Sequence, residues 1–81
     1  MKTIQYIWPW GEFFENNDTR VKMAWQDTIP FDPKWVIIVN AARLLEIETW
    51  LMENIKPYYV VRQLVILSDD NDLMHFKLVW K

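Results

Sequence analysis

Residues that could carry out chemistry are few in this chain. His75 is the only histidine, Ser68 is the only serine, and there is no cysteine. A general base needs an orienting partner and a nearby nucleophile or water, and the sequence neighbours of His75 supply neither. Glycine-rich phosphate loops, HExxH motifs and nucleophile elbows are also absent from the sequence. We therefore expect no enzymatic activity, no catalytic residue and no cofactor.

The acidic cluster of Asp69, Asp70 and Asp72 is the one group that suggests a metal. A calcium loop of the EF-hand type requires glycine at its sixth position and glutamate at its twelfth. Counted from either Asp69 or Asp70, neither position holds the required residue. We therefore predict a polar hairpin turn over residues 68–72 and no metal site.

Aromatic side chains dominate the remaining composition. Six tryptophans, three tyrosines and four phenylalanines make up 16% of the 81 residues, and 52% of the chain is hydrophobic. A domain of this length buries only about 60–65% of the surface that its unfolded chain exposes. We therefore predict one domain over residues 1–81 that leaves apolar surface outside its core, where a partner could bind.

The N-terminal third has the pattern of two strands. Residues 3–8 alternate, which places Ile4, Tyr6 and Trp8 on one face of a predicted strand that ends before a turn at Pro9. Residues 20–26 alternate as well and predict a second strand, antiparallel to the first.

The middle of the chain predicts a short strand followed by the main helix. The β-branched run Trp35–Val39 favours a buried strand, although Asp32 and Pro33 could instead begin one longer helix. We favour the strand. Apolar residues spaced three and four apart then indicate a helix over about 41–55, which Pro57 ends.

The C-terminal third predicts two more strands. Residues 58–67 are apolar at nearly every position, which favours a central strand covered on both faces. Residues 73–81 alternate and predict a strand with inward-facing Met74, Phe76, Leu78 and Trp80. Together the elements predict an α+β fold, with an antiparallel sheet of four to five strands and one main helix packed on one face.

The rings that these patterns do not place firmly in the core are candidate anchors for a protein partner. Tyrosine and tryptophan bury much area at little cost in side-chain entropy, which is why they dominate binding hot spots. The candidate rings are Trp10, Phe13, Phe14, Phe31, Trp35, Tyr58 and Tyr59. The nearby carboxylates Glu12, Glu15 and Asp18 would suit a basic partner surface.

A single-stranded nucleic acid is the alternative partner. Alternation places Arg20 and Lys22 on the outer face of one predicted strand and Lys77 on that of another, and Arg62 could lie between them. Basic and aromatic side chains on an open sheet can hold single strands by phosphate contact and stacking. The formal net charge of −2 argues against broad nucleic-acid affinity.

In its size, its lack of cysteine and of catalytic motifs, and its aromatic excess, the chain resembles the small single-domain proteins that phages and mobile elements encode against host defence, anti-CRISPR proteins among them. The resemblance implies a stoichiometric inhibitor that occupies a site on a larger protein or nucleoprotein complex. Without cysteine, signal peptide or long apolar run, we expect a cytoplasmic protein with no membrane contact. A homodimer formed through the aromatic surface is the third arrangement to test.

Overall fold

The computed structural model describes residues 2–15 and 28–80, without the side chains of Phe14 and Glu15. The elements in this part of the chain are β1 (Ile4–Pro9), α1 (Trp10–Glu15), β2 (Trp35–Val39), a 3-10 turn (Ala41–Arg43), α2 (Leu44–Asn54), β3 (Tyr58–Val61), β4 (Leu64–Leu67) and α3 (Asp70–Val79). The strands form one sheet in the order β1-β2-β4-β3, and every neighbouring pair is antiparallel. The predicted α+β fold with a main helix is thus confirmed.

The chain passes from β2 through α2 to β3, and β4 later takes the position between these two strands in the sheet. β2 and β3 are each antiparallel to β4, so they run parallel to one another on either side of it. The single strand predicted over residues 58–67 is wrong, because Arg62 and Gln63 form a two-residue turn with Val61 opposite Leu64. Arg62 adopts a φ of 53°, in the left-handed region that such turns use.

The main core lies between the sheet and the helices α2 and α3. Its buried side chains come from β2, α2, β4 and α3 together: Ile37, Val39, Ile47, Leu51, Ile55, Val65, Leu67, Leu73 and Phe76. The strand Trp35–Val39 and the helix predicted over 41–55 are both confirmed. Asn40 separates them, because its side-chain oxygen accepts a hydrogen bond from the Ala42 N–H at 3.0 Å and caps the first turn.

The strand predicted over residues 73–81 is wrong, and so is the hairpin turn over 68–72. Asp69 is the N-cap of α3, and its Oδ1 accepts a hydrogen bond from the Asn71 N–H at 2.7 Å. Asp70 and Asp72 lie in the first turn, where the helix dipole favours negative charge. The acidic cluster therefore lies at the start of α3, where its negative charges stabilise the positive end of the helix dipole.

The burial of α3 follows a helical period. Leu73 and Phe76 are buried, whereas Met74 and Leu78, predicted to point inward, are exposed. Leu73, Phe76 and Trp80 recur at i, i+3 and i+7, which is the stripe of one helix face.

An irregularity in β1 corrects the predicted face of the first strand. The register with β2 shifts between Ile4 and Tyr6. Ile4 therefore packs against the main core, while Trp8 packs against the opposite side of the sheet. α1 follows β1 directly at Trp10, where a turn was predicted. The strand predicted over 20–26 lies outside the described residues.

Candidate functional site

The sheet face opposite α2 and α3 carries two rows of side chains that run across all four strands. We call this the second face. Successive strand residues point to opposite sides, and the registers align residues across the sheet. The first row is Trp8, Val36, Ile66 and Tyr59. The second row is Tyr6, Ile38, Leu64 and Val61, and we call it the open row.

The first row is largely covered. Val36 and Ile66 at its centre have no exposed surface, and buried Trp10 and Ile29 pack in the same cluster. The Trp10 N–H donates a hydrogen bond to the Lys34 carbonyl at 2.9 Å, which fixes the start of α1 beside the start of β2. Other residues of the same chain therefore cover this part of the second face.

The open row is partly accessible along its length, and Tyr6 is its most exposed member. Tyr6 is 63% exposed, and Ile38, Val61 and Leu64 are each half-buried. The Tyr6 ring stacks on Trp8, with ring centroids 6.2 Å apart and an interplanar angle of 26°. The row thus offers partly exposed apolar side chains on all four strands, with the stacked Tyr6 ring at one end.

Several of the predicted partner-binding rings gather beside this surface. Phe13, Phe31 and Tyr59 are half-buried. They pack against the second-face cluster, whose buried members are Trp10, Ile29, Val36 and Ile66. Trp10 belongs to the same cluster but is buried. The predicted carboxylate Glu12 is exposed on α1.

The other predicted rings lie elsewhere. Trp35 and Tyr58 are half-buried on the opposite face, packed against the main core. The side chains of Phe14 and Glu15, and all of Asp18, are outside the described residues.

Trp35 takes part in a polar clamp that joins β2 to α3. Its Nε1 donates to Asp70 Oδ1 at 2.7 Å, and Lys34 Nζ donates to Asp70 Oδ2 at 3.0 Å. The Trp35 hydrogen bond, followed by the Lys34 hydrogen bond, holds the pKa of Asp70 below its usual value. Because both carboxylate oxygens accept hydrogen bonds, Asp70 is positioned to hold α3 in place.

A surface cavity of about 250 Å³ lies beside this clamp. It is lined by Trp35, Asp70, Leu73, Met74 and Lys77. Of these five residues, Asp70 and Lys77 carry charged side chains, and the other three are apolar or aromatic.

Two further titratable side chains on α3 are His75 and Asp72. The exposed His75 residue packs its ring against Trp50 in a T-shaped arrangement, with ring centroids 5.0 Å apart. Partial burial and the neighbouring Asp69 raise the pKa of Asp72, while His75 acts in the opposite direction. Within residues 2–15 and 28–80 there is no group of three or more histidine or carboxylate side chains that could hold a metal ion.

The basic residues proposed for nucleic-acid contact do not share a sheet face where they are described. Arg62 lies in the turn between β3 and β4, and Lys77 lies on α3. The predicted strand position of Lys77 is therefore wrong. Arg20 and Lys22 are outside the described residues.

Sequence reasoning missed the most exposed apolar side chains. Leu45 and Met52 on α2 are 77% and 70% exposed, although their spacing of seven residues is also that of a buried stripe. Met74 and Leu78 are exposed on α3. Since a helix can direct apolar residues to either flank of its buried stripe, only the packing of α2 and α3 on the sheet decides which ones remain outside.

Comparison of the chain with protein-family models, with curated proteins and with solved structures finds no match. In the part of the chain that the structure describes, none of the helices has the length and apolar character required to cross a membrane.

Proposed function

We propose that this chain is a non-enzymatic protein-binding module that acts as a stoichiometric inhibitor of a larger complex. The observation that carries the proposal is the open row, in which every side chain is apolar or aromatic and partly exposed. Apolar area removed from water contributes about 25 cal/mol per Å². A partner that covers this row therefore gains hydrophobic free energy without moving the chain's own core.

The aromatic rings beside the open row favour tight binding. Tyr6 is held by its stacking on Trp8, so its ordering on binding costs little side-chain entropy. A standard interface buries about 800 Å² on each partner, which is more than four side chains provide. We expect the contact to extend onto the neighbouring rings Phe31 and Tyr59.

Exposed carboxylates near the same cluster favour a basic partner surface. Glu12 lies two residues after Trp10 on α1, and Asp32 follows Phe31; both residues are exposed. Surfaces that bind nucleic acids are rich in lysine and arginine. Occupation of such a surface would exclude its nucleic acid, and inhibition by occlusion requires no catalytic group.

The experiment uses the unaltered chain to capture a partner protein from host lysate. The affinity of that partner is then measured for the unaltered chain and for two matched double variants. Tyr6→Ala with Val61→Thr alters the open row. Leu45→Ala with Met52→Ala removes exposed apolar side chains from α2 instead. The first variant should bind at least about tenfold more weakly, while the second should bind as the unaltered chain does.

The outcomes are distinct once circular dichroism shows that both variants are folded. Equal binding by all three chains, or loss confined to the α2 variant, would contradict docking on the open row. Titration of labelled single-stranded DNA at low and high salt examines the alternative partner. Salt-sensitive binding to DNA, without any captured protein, would replace the proposal with a nucleic-acid function.

A further inference from the structure

The two edges of the described sheet differ in how they resist the addition of another strand. β1 carries a register shift after Ile4 and ends in Pro9, and both features hinder strand pairing. β3 (Tyr58–Val61) contains no proline, no bulge and no charged residue. Its two aromatic and two β-branched residues are types that favour extended structure. β3 is thus the less protected edge.

The register fixes which backbone groups of β3 point away from the sheet. Val61 and Leu64 close the two-residue turn, so they form a hydrogen-bonded pair, and Tyr59 with Ile66 forms the next one. Tyr58 and Val60 lie at the intervening positions, where N–H and C=O groups point outward. Within the described residues, β4 is the only strand that pairs with β3.

The charges at the two ends of β3 indicate what would pair there. Exposed Lys56 precedes the strand, and exposed Arg62 follows it. A second copy added antiparallel would bring the Lys56 end of one chain to the Arg62 end of the other, and like charges across a strand pair are destabilising. Acidic residues at both ends of an added strand would instead complement these cations.

We infer that the outer edge of β3 binds an extended segment of a partner protein that has alternating apolar residues flanked by acidic ones. The inference rests on the proposed protein-binding function and deepens it. The added strand would extend the sheet beyond β3. One set of its side chains would then lie beside Tyr59 and Val61 and continue the two rows of the second face.

The test uses a synthetic peptide with three valines at alternate positions, threonines between them and two aspartates at each end. Binding is followed by NMR on the full chain. The amide exchange of Tyr58 and Val60 should slow at least about tenfold in the bound state, because new ladder hydrogen bonds cover these groups. A peptide with lysines replacing the aspartates should bind at least about tenfold more weakly.

Val60→Pro removes an N–H that points away from the sheet and leaves the hydrogen bonds to β4 in place. Val60→Thr is the matched control, because it keeps the outward N–H of residue 60. Binding should fall at least about tenfold in the proline variant only. Methylation of alternate peptide nitrogens repeats the test on the unaltered chain, so the result does not depend on the folding of Val60→Pro. Failure of the aspartate peptide to bind, equal binding of both peptides, or insensitivity to peptide methylation would overturn the inference.

Two further results separate this inference from the proposed function. A captured partner that is lost with the open-row variant but retained by Val60→Pro would leave the proposed function standing and refute strand addition. A chain that sediments at twice its mass, and does so no longer with Val60→Pro, would show that a second copy occupies the edge, which contradicts the inferred partner.

Discussion

Replacing Phe76 by alanine should destabilise the fold severely, whereas replacing Met74 should have little effect. Phe76 has no exposed surface, and its ring centroid lies 5.9 Å from that of Trp50 and 6.4 Å from that of Trp80. Truncation of a buried phenylalanine costs about 3–5 kcal/mol. At roughly 0.05–0.15 kcal/mol per residue, the free energy of unfolding of this chain is about 4–12 kcal/mol, so one substitution would remove a large part of it.

Met74 is the matched control on the same helix. It is 62% exposed, and Met74→Ala should change the free energy of unfolding by no more than about 0.5 kcal/mol. Both variants are compared with the unaltered chain by urea denaturation followed by far-UV circular dichroism. A strand over 73–81 would place Met74 and Phe76 on one face. Similar destabilisation by both substitutions, or a cost below about 1 kcal/mol for Phe76→Ala, would therefore refute the helical packing.

Two further predictions concern the start of α3. Asp69→Ala should lower the free energy of unfolding by about 1 kcal/mol, because the Asn71 N–H loses its hydrogen-bond acceptor. In urea titrations, Asp69→Ser should recover most of this loss. Equal urea midpoints for Asp69→Ala and the unaltered chain would show that the Asp69 cap does not stabilise the fold. The folded pKa of Asp70 lies below its usual 3.8, so its stabilisation is complete above that value and is lost as the pH falls through the lower folded pKa. Asp70→Asn should weaken this acid dependence, and an NMR titration giving a pKa above 3.8 for Asp70 would contradict the clamp.

The sequence predicted the middle elements, where residue types favoured the strand over the alternative helix and a regular apolar stripe indicated the helix that follows. The β-branched run of Trp35–Val39 and the regular stripe of the helix over 41–55 agree with their burial in the structure. The α3 segment was predicted wrongly because its apolar residues satisfy two periods. Met74 and Phe76 alternate as in a strand, while Leu73 and Phe76 repeat as in a helix. Asp69, with further carboxylates directly after it, was the N-terminal signal that decides between them.

The sequence indicated some rings of the candidate site but not the open row. Aromatic excess drew attention to Phe13, Phe31 and Tyr59, and the structure places all three rings on the second face. The open row depends on the pairing of Tyr6 with Ile38 and of Val61 with Leu64. These contacts follow from a register shift and a two-residue turn, and neither feature has a distinctive local composition.

The central place of β4 affects how the protein is made on the ribosome. β2 is almost entirely apolar and, with β1 on one side, depends on β4 for its other neighbour. A nascent chain that has emerged only as far as β3 therefore leaves the apolar strand β2 without its neighbour on the β4 side. Cooperative closure of the sheet must wait for the β3–β4 hairpin, so premature termination within β3 would yield an aggregation-prone fragment instead of a smaller functional protein.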